Sequence, residues 1–145
     1  MTREIKFRIW DKKNNCFFRN KYEAYEWELE ELLINMNWDL MLREINQISH
    51  ESIFPDRFIK LQYTWLLDKN GKEIYEGDIL SNCCCNKKCD FHIQWKVIFN
   101  PRRGYQYIMI ESEDWEGWFN LYYSEEFEVV WNIYENPELL SDTKV

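Results

Sequence analysis

Apolar and polar positions alternate along most of this chain, and the alternation breaks over one long stretch. Residues 3–10, REIKFRIW, set Ile5, Phe7 and Ile9 against Lys6 and Arg8, the period of a half-buried strand. Residues 11–15, DKKNN, carry turn chemistry, and Cys16, Phe17 and Phe18 return as a second strand, so the start predicts a hairpin. Cys16 reads there as a small buried apolar residue. The pattern then changes. From Glu23 to Ile48 there is no Gly or Pro, and Tyr25, Leu29, Leu32, Leu33, Met36 and Leu40 recur at helical spacing with glutamates between them. This predicts a helical insert, bent or split where Asn35 and Asn37 weaken the pattern. Its early glutamates suit the positive end of a helix dipole.

Strand signals resume at Phe58. Residues 58–66 form a strand, Asp68, Lys69, Asn70 and Gly71 supply a tight turn, and Glu73, Ile74 and Tyr75 return. Glu76, Gly77 and Asp78 redirect the chain into a new strand at Ile79, as at the corners of small SH3-like barrels. Residues 91–99 and 105–110 flank a turn at 100–104, and residues 127–133 form the last strand. Asn136 and Pro137 fit the N-cap and first position of a closing helical turn. The expected fold class is therefore α+β. A small N-terminal α+β region at residues 1–60, a hairpin plus the helical insert, precedes a β-rich, SH3-like barrel region at residues 61–145 that ends in that turn.

Composition adds to this picture. The chain has 145 residues, 46% of them hydrophobic, which is enough for a packed core and excludes wholesale disorder. Aromatic residues reach 18%, with eight tryptophans. Such rings fill a small β core, and those left outside it suit a protein–protein surface. Charge is uneven. Residues 1–22 hold seven Lys/Arg against two acids, whereas residues 105–145 hold ten acids against Lys144 alone. The basic start is expected to lie near the acidic end, in the same subunit or the next. A net charge of −8 opposes non-specific binding to a phosphate backbone. No apolar run approaches a membrane span, and the charged start from Arg3 onward does not read as an export signal. Five cysteines in that context point to a reducing cytoplasm.

Candidate chemistry is sparse. Cys83, Cys84, Cys85, Cys89 and His92 hold zinc-type donors on one loop. Consecutive side chains diverge, though, and no second ligand pair exists elsewhere, so reduced loop cysteines are the expectation. Cysteine nucleophile chemistry lacks an orienting third group. His50 reads as a solvated loop side chain. Asp78 reads as a carboxylate that satisfies turn amides. Arg102 and Arg103 read as an exposed loop tip, and Trp115, Gly117, Trp118 and Phe119 as a short turn and strand among acids.

The motif blocks give a resemblance. Residues 3–11, residues 61–80 (LQYTWLLDKNGKEIYEGDIL) and residues 132–140 (NIYENPELL) resemble the signature of the YopX family of bacteriophage and prophage proteins. The blocks span the start, middle and end of the chain; residues 23–50 and 81–92 fall in its variable regions. The family pattern has glycine where this chain has Trp65 and Trp131. The resemblance implies a phage-type protein with the two-part fold above, a homo-oligomer, and no catalytic residues. With the aromatic excess, it predicts a non-enzymatic, cytoplasmic module that self-assembles or binds a host or phage protein. No catalytic, cofactor-binding or metal residue and no cofactor is assigned. The alternative is a nucleic-acid-associated regulatory protein, favoured only by the basic N-terminal stretch and opposed by the overall charge.

Overall fold

The computed structural model describes residues 5–23, 28–82, 93–110, 119–120 and 126–140. Its strands are β1 (Phe7–Asp11), β2 (Cys16–Phe17), β3 (Lys21–Glu23), β4 (Glu28–Ile34), β5 (Leu40–Glu44), β6 (Gln47–His50), β7 (Phe58–Leu67), β8 (Glu73–Tyr75), β9 (Asp78–Asn82), β10 (Ile93–Asn100), β11 (Gly104–Met109), β12 (Phe119–Asn120) and β13 (Glu128–Asn132). Two short 3₁₀ turns, Glu51–Ile53 and Pro137–Leu140, lie among the described residues. The strands form sheets of order β2-β1-β7-β8, β3-β4-β5-β6 and β12-β11-β10-β9-β13. The chain divides into two units: an inserted unit, Ile9–Ile59, and a framework unit made of Met1–Arg8 and Lys60–Val145. It passes between them inside β1 and again inside β7.

The α+β expectation is overturned. The stretch read as a helical insert folds as the antiparallel meander β3-β4-β5-β6. Its leucines satisfy two periods at once. Leu29, Leu32, Leu33, Met36 and Leu40 fit a helix, but Leu32 also pairs with Leu42, and Ile34 with Leu40, across two strands. Burial selects the second arrangement: Leu40 and Leu42 are buried core residues. Asn35 fixes the turn. Its Oδ1 accepts the Asn37 amide at 2.8 Å and the Asp39 amide at 2.9 Å, which a helix interior does not permit.

The rest of the inserted unit is tied to Asp11. Arg57 donates to it bidentately, Nε to Oδ1 at 3.1 Å and Nη2 to Oδ2 at 2.8 Å. The Lys13 amide donates to Oδ1 and Asn14 Nδ2 to Oδ2. The Arg57 guanidinium lies 4.5 Å from the centre of the Phe58 ring, which meets Phe18 and Phe54 edge-on. Cys16, expected inside, is exposed on the two-residue strand β2.

In the framework unit, Ile74, Leu80, Trp95, Val97, Tyr107, Phe127 and Val129 form one core cluster. The β-rich character expected after residue 61 is present. The five-stranded antiparallel sheet, however, has β12 and β13 at its edges, in place of the SH3-like barrel. Asp68 organises the turn before β8. Its Oδ1 accepts the Asn70 and Lys72 amides, and its Oδ2 accepts the Val129 amide at 3.0 Å. The turn residues and β13 are thus joined through one carboxylate.

Burial pushes the Asp11 and Asp68 carboxyls up. The Arg57 bond with the Lys13 and Asn14 donors at Asp11, and the Val129, Lys72 and Asn70 amides at Asp68, outweigh it and leave both below the ordinary value of 3.8. A carboxyl lowered in the folded state stabilises the fold above its unfolded pKa and loses that contribution as pH falls through the folded value. Thermal unfolding midpoints should therefore drop steeply below about pH 4. Asp11→Asn and Asp68→Asn should each flatten that decline, as followed by circular dichroism melts from pH 7 downward.

Candidate functional site

Gly77 makes the corner before β9 possible. Its φ of +76° is a left-handed conformation, and a Cβ there would meet Ile133 Cγ1 at 3.3 Å. Its amide donates to the Val97 carbonyl, and its carbonyl accepts from the Ile133 amide, both at 3.0 Å. The next residue, Asp78, is wholly buried. Its Oδ2 accepts the Tyr75 amide at 2.8 Å, and its Oδ1 accepts Asn132 Nδ2 at 2.9 Å and Arg8 Nη2. Asn132 in turn accepts the Tyr134 amide at its Oδ1. Arg8 comes from the first motif block, Asp78 from the second and Asn132 from the third. The blocks are far apart in the chain and meet at one carboxylate.

Around this joint the polar side chains are consumed in pairs. The Arg8 guanidinium stacks 4.6 Å from the Tyr75 ring centre. The Tyr75 hydroxyl donates to Glu73 at 2.7 Å, and Lys6 Nζ donates to the other Glu73 oxygen at 2.6 Å. Burial and then Glu73 push the Tyr75 hydroxyl up to about 12, while Lys6 and the tyrosine hold Glu73 below the usual carboxylate range. Asp78 has three donors on its two oxygens and no solvent face, the condition of a structural carboxylate rather than an acid–base group. The basic N-terminal strand meets Glu73 and Asp78, and at Asp78 it shares an acceptor with Asn132 of the C-terminal stretch; six of the ten acids of that stretch lie outside the described residues. Glu128 of that end pairs with Lys69 at 2.7 Å.

Trp65 and Trp131 occupy equivalent kinds of position. Trp65 has a φ of +65° and lies in the register shift between Tyr63 and Leu67 of β7. Trp131 pairs with Ile79 at the register shift of β13 after Val129. Both sit where a strand is irregular, the setting in which glycine is favoured. The Trp65 ring packs 6.4 Å from Tyr63 and 6.0 Å from Tyr105, and Phe99 extends the cluster 5.1 Å from Tyr105.

The remaining sequence candidates separate. His50 is not simply solvated. It ends β6 and caps the Glu51–Ile53 turn: its Nδ1 accepts the Ser52 amide at 3.1 Å, and its Nε2 lies 3.4 Å from Asp39 Oδ2. Ser52 Oγ is also 3.0 Å from Nδ1, so the composition is that of a nucleophile relay. The amide already uses the Nδ1 lone pair, which leaves that nitrogen as a cap and not a base. Arg102 and Arg103 are exposed in the turn between β10 and β11, where Asn100 accepts both their amides. Cys83, Cys84, Cys85, Cys89 and His92 lie outside the described residues, as do Trp115, Gly117 and Trp118. Among the described residues no group of His, Cys, Asp and Glu could hold a metal ion, and no helix is long and apolar enough to cross a membrane.

The sequence reading missed one surface entirely. Register places Leu33, Met41 and His50 in one cross-strand row and Glu31, Arg43 and Ile48 in the next, on the face of the meander opposite Leu40 and Leu42. Ile48 is 59% exposed, and Leu33, Tyr22 and Ile45 are exposed as well. Glu31 accepts from the Tyr22 hydroxyl at 2.7 Å and from Arg43 at 3.4 Å at the centre of this face. At one end, the β4–β5 turn presents Met36 at 99% and Trp38 at 51% exposure. On the Leu40 and Leu42 side, the cross-strand row Lys21, Glu30, Glu44 and Gln47 borders a shallow cleft of about 450 Å³ that Leu29 and Ile45 also line. The usable signal was the Asn35, Asn37, Asp39 run, which is turn chemistry between two apolar segments.

Fold and site together define an all-β protein in which distant motif blocks lock a framework unit and the residues between them build a second, apolar-faced unit. The chain belongs to the YopX family: the family model, described as YopX protein, matches residues 6–141. Its fold is similar to the crystal structure of a protein from Enterococcus faecalis, with a TM-score of 0.57 and 23% identity over 96% of this chain and 99% of that one. It is also similar to the crystal structure of protein YopX from Bacillus subtilis, with a TM-score of 0.54 and 20% identity over 92% and 94% of the two chains. No curated protein matches the chain.

Replacing Asp78 tests the joint. Asp78→Ala leaves Arg8 and Asn132 without their shared acceptor, and breaking a buried pair in this way costs about 3–5 kcal/mol. Urea unfolding should show a loss of that size with an unchanged m-value.

Proposed function

We propose that the protein is a non-enzymatic interaction module, phage- or prophage-encoded and acting in the bacterial cytoplasm, that assembles with itself or binds another protein. The observation that carries this reading is the open face of the β4-β5-β6 meander. An antiparallel sheet commonly turns one face to water, and that face is then polar. Here Tyr22, Leu33, Ile45 and Ile48 are exposed on it or at its margin, with Met36 and Trp38 at the adjoining turn. Trp, Tyr and Met are the residue types enriched in protein–protein contacts. The family resemblance supports the phage origin and the homo-oligomer.

The nucleic-acid alternative draws less support. It rested on the basic N-terminal stretch, and within that stretch Lys6 is paired with Glu73 and Arg8 with Asp78. Such charges are not available to release counterions from a phosphate backbone.

Sedimentation velocity over a wide concentration range, with affinity capture from host cells, tests the proposal. The expected result is a concentration-dependent assembly or a stoichiometric protein partner. Leu33→Lys combined with Ile48→Lys should weaken either contact at least about tenfold, since charges placed in an apolar contact are costly to desolvate. A concentration-independent monomer that captures nothing would sink the reading.

A further inference from the structure

We infer that Asn70 is a site of spontaneous deamidation and that the turn built on Asp68 sets its rate. The site is independent of the interaction-module reading. The sequence contains a single Asn-Gly pair, Asn70-Gly71. In deamidation the backbone nitrogen of the following residue attacks the asparagine Cγ. The N–Cγ bond forms, the Cγ–Nδ2 bond breaks, and the amide leaves as ammonia with the proton given up by the attacking nitrogen. Water then opens the cyclic imide at either carbonyl, leaving aspartate or isoaspartate. Water is the co-reactant, and nothing is oxidised or reduced. Glycine in the following position has no Cβ to shield the nitrogen. A Cβ at Gly71 would meet nothing within 4 Å, and both residues are exposed, so the approach is open. Among the described residues the Asn70 carboxamide has no hydrogen-bond partner; only its backbone amide is engaged. Asn35 and Asn132 differ, since their side chains are bonded on both polar atoms. Asn100 and Asn136 precede prolines, which have no N–H to give up.

The attacking nitrogen is held by the turn. The Gly71 amide donates to the Asp68 carbonyl at 2.9 Å. Asp68 Oδ1 accepts the Asn70 amide at 2.8 Å and the Lys72 amide at 2.9 Å, and the Asp68 amide donates to the Lys72 carbonyl at 2.8 Å. Four bonds of one turn therefore converge on Asp68, and cyclisation waits for the Gly71 amide to leave its acceptor. Asp68 is a positioning residue for this reaction. The product acts back on it. Isoaspartate puts an extra carbon into the main chain between the Cα of residue 70 and the Gly71 nitrogen, which shifts the Lys72 amide off Oδ1. It also sets a new carboxylate two residues from a buried one. Asp68 Oδ2 accepts the Val129 amide, and the Phe127 carbonyl accepts the Lys69 amide at 2.9 Å, so the turn holds the start of β13. Damage at an exposed tip thus reaches an edge strand of the sheet.

The test uses the full-length protein, incubated at neutral pH, sampled over weeks and digested. Mass spectrometry reads each asparagine, and isoaspartate is counted with an isoaspartyl methyltransferase. Asn70 should convert ahead of every other asparagine, and more slowly in the folded protein than in the urea-unfolded chain. The slowing should match the protection of the Gly71 amide against hydrogen exchange. Asp68→Asn should raise the rate at least about tenfold, the change expected when hydrogen bonds to a charged acceptor are weakened. Asp68→Ser, whose hydroxyl accepts turn amides more weakly, makes the same comparison if Asp68→Asn does not fold. The unfolding midpoint of aged wild type should fall as isoaspartate accumulates, while Asn70→Ser keeps its midpoint. An intact Asn70 in folded protein, or another asparagine that reacts first, overturns the site. A rate unchanged by the Asp68 variants, or unrelated to exchange of the Gly71 amide, overturns the control by the turn.

Discussion

A buried carboxylate can be held in a protein only when donors fill its oxygens, and the framework unit is arranged around that requirement at Asp78. Its donors are a strand amide, a side-chain amide from Asn132 and a guanidinium from Arg8. Removing any one would leave charge or hydrogen-bonding capacity unmatched on a buried carboxylate. Gly77 supplies the backbone bend that lets the carboxylate reach all three. The same device appears twice more. Asp11 gathers Arg57, Lys13 and Asn14 in the inserted unit, and Asp68 gathers its own turn and Val129 in the framework unit. Each is an aspartate beside a turn that also accepts from a residue more than forty positions away. Local turn chemistry and long-range register are fixed by the same atoms.

Much of this was legible in the residues. Period-two alternation located β1, β7, β10 and β11, and Asn-Gly chemistry located the turn that Asp68 organises. Asp78 was read as a carboxylate that satisfies turn amides, and its Oδ2 does accept the Tyr75 amide. What no local pattern shows is which distant donors it meets, because Arg8 and Asn132 become its partners only through the sheet. The large error lay between Glu23 and Ile48. Apolar residues there fit both periods, and the absence of Gly and Pro removed the usual punctuation. The decision was made by cross-strand pairing of Leu32 with Leu42 and by an Asn35 side chain that closes a turn. The consequence for function was direct. As a helix, the stretch had a polar side of glutamates. As a meander, it turns Leu33, Met41 and Ile48 outward together.

Trp65 shows a related trade. Glycine relieves a strand irregularity by being free to adopt positive φ. Trp65 adopts it regardless and gains ring contacts with Tyr63 and Tyr105. Backbone strain of about 1–3 kcal/mol is set against the apolar area that an indole removes from water. In the framework unit aromatic density thus replaces conformational freedom, while in the inserted unit Tyr22, Met36, Trp38 and Ile48 stay exposed beside the buried Trp10, Leu40 and Leu42.

The path of the chain has its own consequence. It leaves the framework unit after Arg8 and returns at Lys60. Arg8, Asp78 and Asn132 all belong to the framework, so the joint closes without using a single residue of the insertion. The segment between is in effect a cassette. Its length, charge and exposed face can be rewritten by mutation or recombination while the joint keeps its donors. The division sets a scaffold held by the buried Asp78 apart from a surface carried by the insertion.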